Sequence, residues 1–119
     1  NLKGLLIQNT KSNEGLNDYY WFYHLGNNSY RIIGLNSALS LDILSTSDNR
    51  VYHNFDDDVP RQKWTLEDAG EGHFFIMNNK SGKVLEVEGS SMDSGSSIIQ
   101  STKNNETNQQ WEIEKILSF

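Results

Sequence analysis

The sequence predicts an all-β domain built from three copies of one four-stranded unit, and three observations predict it. The segment Gln-x-Trp occurs twice, as Gln62-Lys63-Trp64 and Gln109-Gln110-Trp111. Each is preceded, at matched spacing, by the same pair of short apolar segments: Tyr30-Arg31-Ile32 with Leu41-Asp42-Ile43, and Phe74-Phe75-Ile76 with Leu85-Glu86-Val87. Trp21 lies 43 residues before Trp64, which lies 47 before Trp111, so a third copy is indicated. Self-similarity at such a period means one structural unit that cannot bury its apolar face alone.

In the first copy, Leu5-Leu6-Ile7-Gln8 reads as a third strand and Tyr19-Tyr20-Trp21-Phe22-Tyr23 as a fourth, with Tyr19 in place of the glutamine. Tyr30 precedes Trp64 by 34 residues and Phe74 precedes Trp111 by 37, so the same count back from Trp21 puts this copy's opening strand before residue 1. The first repeat is therefore expected to be incomplete at the N-terminus, its missing strands truncated or supplied by another chain, since a bare edge invites mispairing. In the second copy apolar residues alternate at Tyr30 and Ile32 and at Leu39, Leu41 and Ile43, the period of half-buried strands. Strands are expected near 30–34, 39–43, 50–55 and 63–67, and in the third copy near 73–77, 84–88, 97–101 and 110–115. Asp68-Ala69-Gly70-Glu71-Gly72 and Asn78-Asn79-Lys80-Ser81-Gly82 supply turn chemistry between them. The chain reads as one domain over 1–119, with repeats at about 1–27, 28–70 and 71–117.

Composition fits that outline and excludes several functions. A chain of 119 residues holds one core. Asn and Ser fill 28 positions, which favours turns over long helices. The net charge of -6 and the scatter of ten Lys and Arg residues argue against nucleic acid, whose phosphates need clustered cations. No apolar run reaches the ~20 residues that span a bilayer. With no cysteine, redox compartment is open.

Together these repeats resemble the ricin-type β-trefoil family, in which three Gln-x-Trp repeats close a pseudo-threefold barrel. The resemblance covers nearly the whole chain. It implies that Trp21, Trp64 and Trp111 are structural core, large apolar bodies whose indole N–H needs an acceptor. It also implies non-catalytic binding of carbohydrate, of the galactose or N-acetylgalactosamine type. The family's shallow pockets use an Asp after the second strand, an aromatic platform near the third, and an Asn beside the Gln. Carboxylate and amide suit vicinal hydroxyls, and a ring face packs on sugar C–H groups.

Carried over, the resemblance places Asp42, His53, Phe55, Arg61 and Gln62 at the second repeat's pocket, with Arg61 where an Asn would stand. Arg61 then either meets a sugar hydroxyl or carboxylate, or pairs with Asp56, Asp57 or Asp58. At the third repeat it places Glu86, Gln100, Thr102, Asn108 and Gln109, a polar frame without an aromatic platform. Gln8 and Asp18 stand near such positions in the first repeat, where no site is expected. The connection Asn9 to Asp18 and the aromatic strand around Trp21 are also similar to trefoil domains of bacterial toxins and clostridial haemagglutinins. That implies a secreted receptor-recognition module with further domains or subunits and a cell-surface glycan as partner. The rival expectation is a protein–protein module with vestigial pockets.

Other signals carry less. Asp56-Asp57-Asp58 lacks the ligand spacing and glycine turn of a calcium loop. His24, His53 and His73 lack the Cys or His partners of a zinc site. No phosphate loop or nucleophile elbow is present; Gly95-Ser96-Ser97 lacks the glycine and helix an elbow needs. Neither catalysis nor a cofactor is expected.

Overall fold

The computed structural model describes residues 2–8, 19–34, 37–88 and 98–118, with the backbone alone described at 2–8, 19 and 114–118. Ten strands are described: β1 (Leu2–Gln8), β2 (Tyr19–Gly26), β3 (Ser29–Gly34), β4 (Ser40–Ile43), β5 (Val51–Asn54), β6 (Trp64–Gly70), β7 (His73–Asn78), β8 (Val84–Val87), β9 (Ile98–Ser101) and β10 (Trp111–Ser118). The eight strands expected in the second and third copies all form, their ends shifted by a few residues at most.

Six strands close on themselves in the order β1, β2, β3, β6, β7, β10 and back to β1, every neighbour antiparallel. Closure leaves the barrel wall without an unpaired edge. The hairpins β4–β5 and β8–β9 stand off one end, joined to the barrel through Ile33↔Ser40 and Met77↔Val84. They touch each other at Arg50↔Ile99. This is the β-trefoil architecture: paired barrel strands from each repeat, capped by hairpins.

The first repeat differs from the expectation. Leu2–Gln8 is not a third strand; its pairing with both β10 and β2 makes it the opening barrel strand, which the count from Trp21 had put before residue 1. The repeat is short because residues 9–18 join β1 to β2, whereas 35–63 and 79–110 do that work in the other repeats. Counting back assumed connections of equal length in all three repeats, and connecting segments vary in length more freely than the elements they join.

Turns between barrel strands follow the local chemistry. Asn27 and Asn28, both at positive φ (52° and 63°), turn β2 into β3, and Glu71-Gly72 (55° and 81°) turn β6 into β7. Paired positive φ values match the right-handed twist of the flanking strands. Strand β6 runs on to Gly70, past the expected end near 67, through a bulge between Asp68 and Gly70. At the other end Asn78 caps its own turn, its Oδ1 accepting from the backbone N–H of Lys80 and Ser81.

The core collects one inward side of each element: Phe22, Ile32, Trp64, Leu66, Ile76 and Trp111 from the barrel, Leu41, Ile43, Leu85 and Val87 from the hairpins. Each large side chain so buried contributes about 1.5–3 kcal/mol. The two tryptophans are satisfied alike, Trp64 Nε1 donating to Leu41 O (3.0 Å) and Trp111 Nε1 to Leu85 O (3.2 Å). Trp21 is not their counterpart. Trp64 pairs with Asn78, the last residue of β7; the residue paired with Gly34, the last of β3, is Tyr20. Side chains alternate along a strand, so Tyr20 and Phe22 face inward while Trp21 lies half-buried on the outer side, 6.1 Å from the Tyr23 ring.

Candidate functional site

In the second repeat, β4 carries Asp42, β5 leads into Phe55, and a single 3-10 turn over Pro60–Gln62 carries Arg61 and Gln62. Proline starts that turn at no cost, since the missing N–H would have no partner there. Asp42 is fully buried. Its Oδ1 accepts from the Ile43 backbone N–H (2.7 Å), and its Oδ2 from Asn54 Nδ2 (3.3 Å) and Gln62 Nε2 (3.1 Å). Arg61 Nε straddles the carboxylate, 3.0 Å from Oδ1 and 3.2 Å from Oδ2. A buried charge needs such compensation, and here the compensation consumes both oxygens.

Arg61 therefore does not pair with the aspartates of 56–58. Those belong to another network: Arg31 Nε lies 3.1 Å from Asp56 Oδ2, Arg31 Nη2 2.5 Å from Asp58 Oδ1, and Lys63 Nζ 3.1 Å from Asp58 Oδ1. Hydrogen bonds from Arg31 and Lys63 hold the Asp58 carboxyl below the ordinary carboxylate range. Phe55 is 76% exposed, the most open large apolar residue among those described.

Gln62 is scaffold rather than pocket lining. It is fully buried, bridging Asp42, the Phe55 carbonyl (2.7 Å) and the Asp57 backbone N–H (2.8 Å). Gln109 repeats the arrangement in the third repeat, with Glu86 Oε1 (2.8 Å), Thr102 O (3.0 Å) and Asn104 N–H (2.9 Å). In both copies the amide ties the last strand's approach to the loop leaving the hairpin. The glutamine of Gln-x-Trp is thus as structural as its tryptophan.

His53 and Gln100 are not brought to the carboxylates. Both pair with the residue before the acid, Leu41↔His53 and Leu85↔Gln100, and so occupy the opposite face of the hairpin. The His53 ring stacks on Tyr20 (centroids 6.1 Å apart, planes 9° apart). It borders an apolar cavity of about 210 Å³ lined also by Leu41, Val51, Leu85 and Trp111. Gln100 is buried, bonding Ser45 O, Asp48 O and Ser81 Oγ, and stitches the two hairpins together. The residue that does reach Asp42 from β5 is Asn54, one position along. Alternation from Tyr52, which pairs with Asp42, puts Asn54 on the acid's face.

At the third repeat the frame is looser. Glu86 is half-buried with Oε1 held by Gln109. Asn108 turns its amide to Val87 O (3.2 Å), and Thr102 is exposed without a ring face. Gln8 has its backbone alone described, and Asp18 lies outside the described residues. Among the described residues no group of three metal-binding side chains converges, and no helix is long and apolar enough to cross a membrane.

Known proteins share the fold. Residues 60–117 match the family model of the ricin-type beta-trefoil lectin domain-like proteins. A designed threefold-symmetric protein, ThreeFoil, superposes with a TM-score of 0.85 at 25% identity, over 96% of this chain and 99% of its own. The exo-β-1,3-galactanase 1,3Gal43A of Clostridium thermocellum gives 0.82 at 19% identity, over 97% of this chain and 30% of its own. A mosquitocidal holotoxin gives 0.83 at 17% identity, over 98% and 17%. This chain thus spans under a third of either natural protein. No curated protein sequence matches it. The chain is a β-trefoil, and its residues 60–117, which carry both Gln-x-Trp segments, match the ricin-type lectin-like family.

Proposed function

We propose that the domain is a non-catalytic glycan-binding module whose working pocket lies at the second repeat. The observation that carries this reading is Phe55, 76% exposed at the end of a hairpin whose next residue inward, Asn54, is bonded to the buried Asp42. An open aromatic face held beside a fixed polar cluster is what a pyranose needs: C–H groups on the ring, hydroxyls on the polar side. Arg61 supplies that polar side, since its side chain stays 38% exposed while Nε is fixed. Sugars of the galactose and N-acetylgalactosamine type are the first ligands to test. The third repeat, with Glu86 and Asn108 but no ring, is the weaker pocket.

The domain acts as the receptor-recognition part of a larger secreted protein, reading glycans at a cell surface. The size of the similar galactanase and holotoxin chains supports the larger protein. Single shallow pockets bind weakly, and avidity would come from additional domains or subunits.

Binding is tested by glycan array and by amide NMR titration with galactose and N-acetylgalactosamine. Perturbation of Phe55 and Asn54 that disappears in Phe55→Ala supports the pocket. A second reading, a protein–protein module, is favoured by the sealing of Asp42 and the turning of Asn108 to Val87 O. Partner binding that neither sugar displaces would establish it.

A further inference from the structure

The second-repeat pocket has changed the sign of what it offers a ligand. Where the resemblance implies a carboxylate open to sugar hydroxyls, Asp42 is fully buried and both its oxygens are taken by protein donors. The group left facing outward is Arg61. Its Nε is spent on Asp42, while Nη1 and Nη2 make no hydrogen bond or ion pair to any described residue. That leaves the end of the guanidinium as a planar pair of N–H donors. Its orientation is set by a buried anchor rather than by the ligand, so less side-chain freedom is lost on binding.

A free guanidinium end matches a carboxylate with two parallel N–H···O bonds, and charge-assisted pairs of this kind are the stronger hydrogen bonds. The acids around it weigh against an anion only in part. Asp42 is neutralised by Arg61 itself, and Asp56 and Asp58 by Arg31 and Lys63. Asp57 is the one aspartate of that loop whose carboxylate has no ion pair among the described residues, so it leaves an uncompensated negative charge on the loop. Resting on the glycan reading above, we propose that this pocket selects a sugar carrying a carboxylate, a uronic or sialic acid, with Arg61 on the carboxylate and Phe55 on the ring's C–H face.

The test uses two probes that differ only at C6, methyl α-galacturonoside and methyl α-galactoside, titrated into the full chain and followed at the Arg61 side-chain N–H and the Phe55 amide. The expected result is roughly tenfold tighter binding of the acid, the scale of one charged hydrogen-bonded contact. That preference should shrink as salt is raised and vanish in Arg61→Gln. Because Arg61→Gln leaves Asp42 buried with its charge uncompensated, the double variant Asp42→Asn/Arg61→Gln is measured beside it. Asp57→Asn, on an exposed loop, should strengthen binding of the acid and leave the neutral sugar unchanged. Equal binding of the two probes, or preference for the neutral one, overturns the acidic selectivity and leaves the glycan reading standing. No perturbation of Phe55 by either probe, nor by neutral or acidic oligosaccharides on an array, overturns both.

Discussion

Arg61 Nε stands 3.0 Å from Oδ1 and 3.2 Å from Oδ2 of Asp42, a carboxylate with no solvent exposure. The pair is an anchor before it is a ligand contact. Removing one partner of a buried pair strands the other's charge, at a cost of about 3–5 kcal/mol. Arg61→Ala should therefore lower stability toward that range in urea unfolding, and Asp42→Asn/Arg61→Ala should recover much of the loss. A single variant no less stable than the double would show that the pair does not support the fold.

Gln62 and Gln109 make the same three hydrogen bonds in their two repeats. Replacing either by Leu keeps the volume roughly constant but strands a backbone N–H and a carbonyl and takes one donor from a carboxylate. Each buried polar group left unpaired costs about 1–3 kcal/mol. Gln62→Leu should cost more than Gln109→Leu, since its acid is buried and the third repeat's is half-buried. Denaturation midpoints of the two variants give the comparison directly.

The three tryptophans separate by one residue of register. Trp64→Ala and Trp111→Ala empty fully buried sites and should each cost about 3–5 kcal/mol. Trp21→Ala removes a half-buried side chain from the outer side of β2 and should cost about 1 kcal/mol. Phe22→Ala, fully buried at the next position, should cost about as much as Trp64→Ala. Thermal unfolding of the four variants would reverse the assignment if Trp21→Ala proved the more damaging of the two on β2.

That slip shows what the sequence could and could not say. The second and third repeats were legible because apolar and polar residues alternate in them and Asn or Gly marks their turns. In Tyr19-Tyr20-Trp21-Phe22-Tyr23 every residue is aromatic, so the pattern carries no phase, and a one-residue slip exchanges the two faces of the strand. The site was legible as a neighbourhood: Asp42, Phe55 and Arg61 do lie around one hairpin end. What lay beyond the sequence was which donor meets which acceptor. The Asp42–Arg61 pair spans 19 residues and depends on a turn whose geometry no local pattern encodes. His53 and Gln100, carried over from the resemblance, were likewise off by one position of strand phase.

Asp48 should titrate well below an ordinary aspartate. Its carboxylate accepts from the Arg50 side chain at Nε (3.0 Å) and Nη2 (2.8 Å) and from the Arg50 backbone N–H (2.9 Å). The Arg50 side-chain bond is the largest cause, and the pKa falls from 3.8 to about 2. A depressed folded-state value means the pair's contribution is present above the unfolded pKa and is lost as pH falls through about 2. Carboxyl carbon NMR should place the midpoint there, and Arg50→Gln should move it back toward 3.8. An unchanged midpoint in the variant would rule out Arg50 as the cause.

Phe55 offers the cleanest separation of fold from function. Its side chain is 76% exposed, so Phe55→Ala should leave stability within about 0.5 kcal/mol of the native protein. The backbone carbonyl that Gln62 uses at this position survives any side-chain change, so the anchoring network is kept. If the ring is the platform for a sugar, its loss removes an aromatic contact of about 0.5–1.5 kcal/mol, a fewfold to roughly tenfold weaker affinity. Phe55→Trp should retain or improve binding, because a larger face covers more of the pyranose, whereas Phe55→Leu keeps apolar area without the face and should bind poorly. A series in which Leu binds as well as Trp would mean that the ring's flat surface is not what the ligand meets, and the pocket would have to be sought at Glu86 and Asn108 instead.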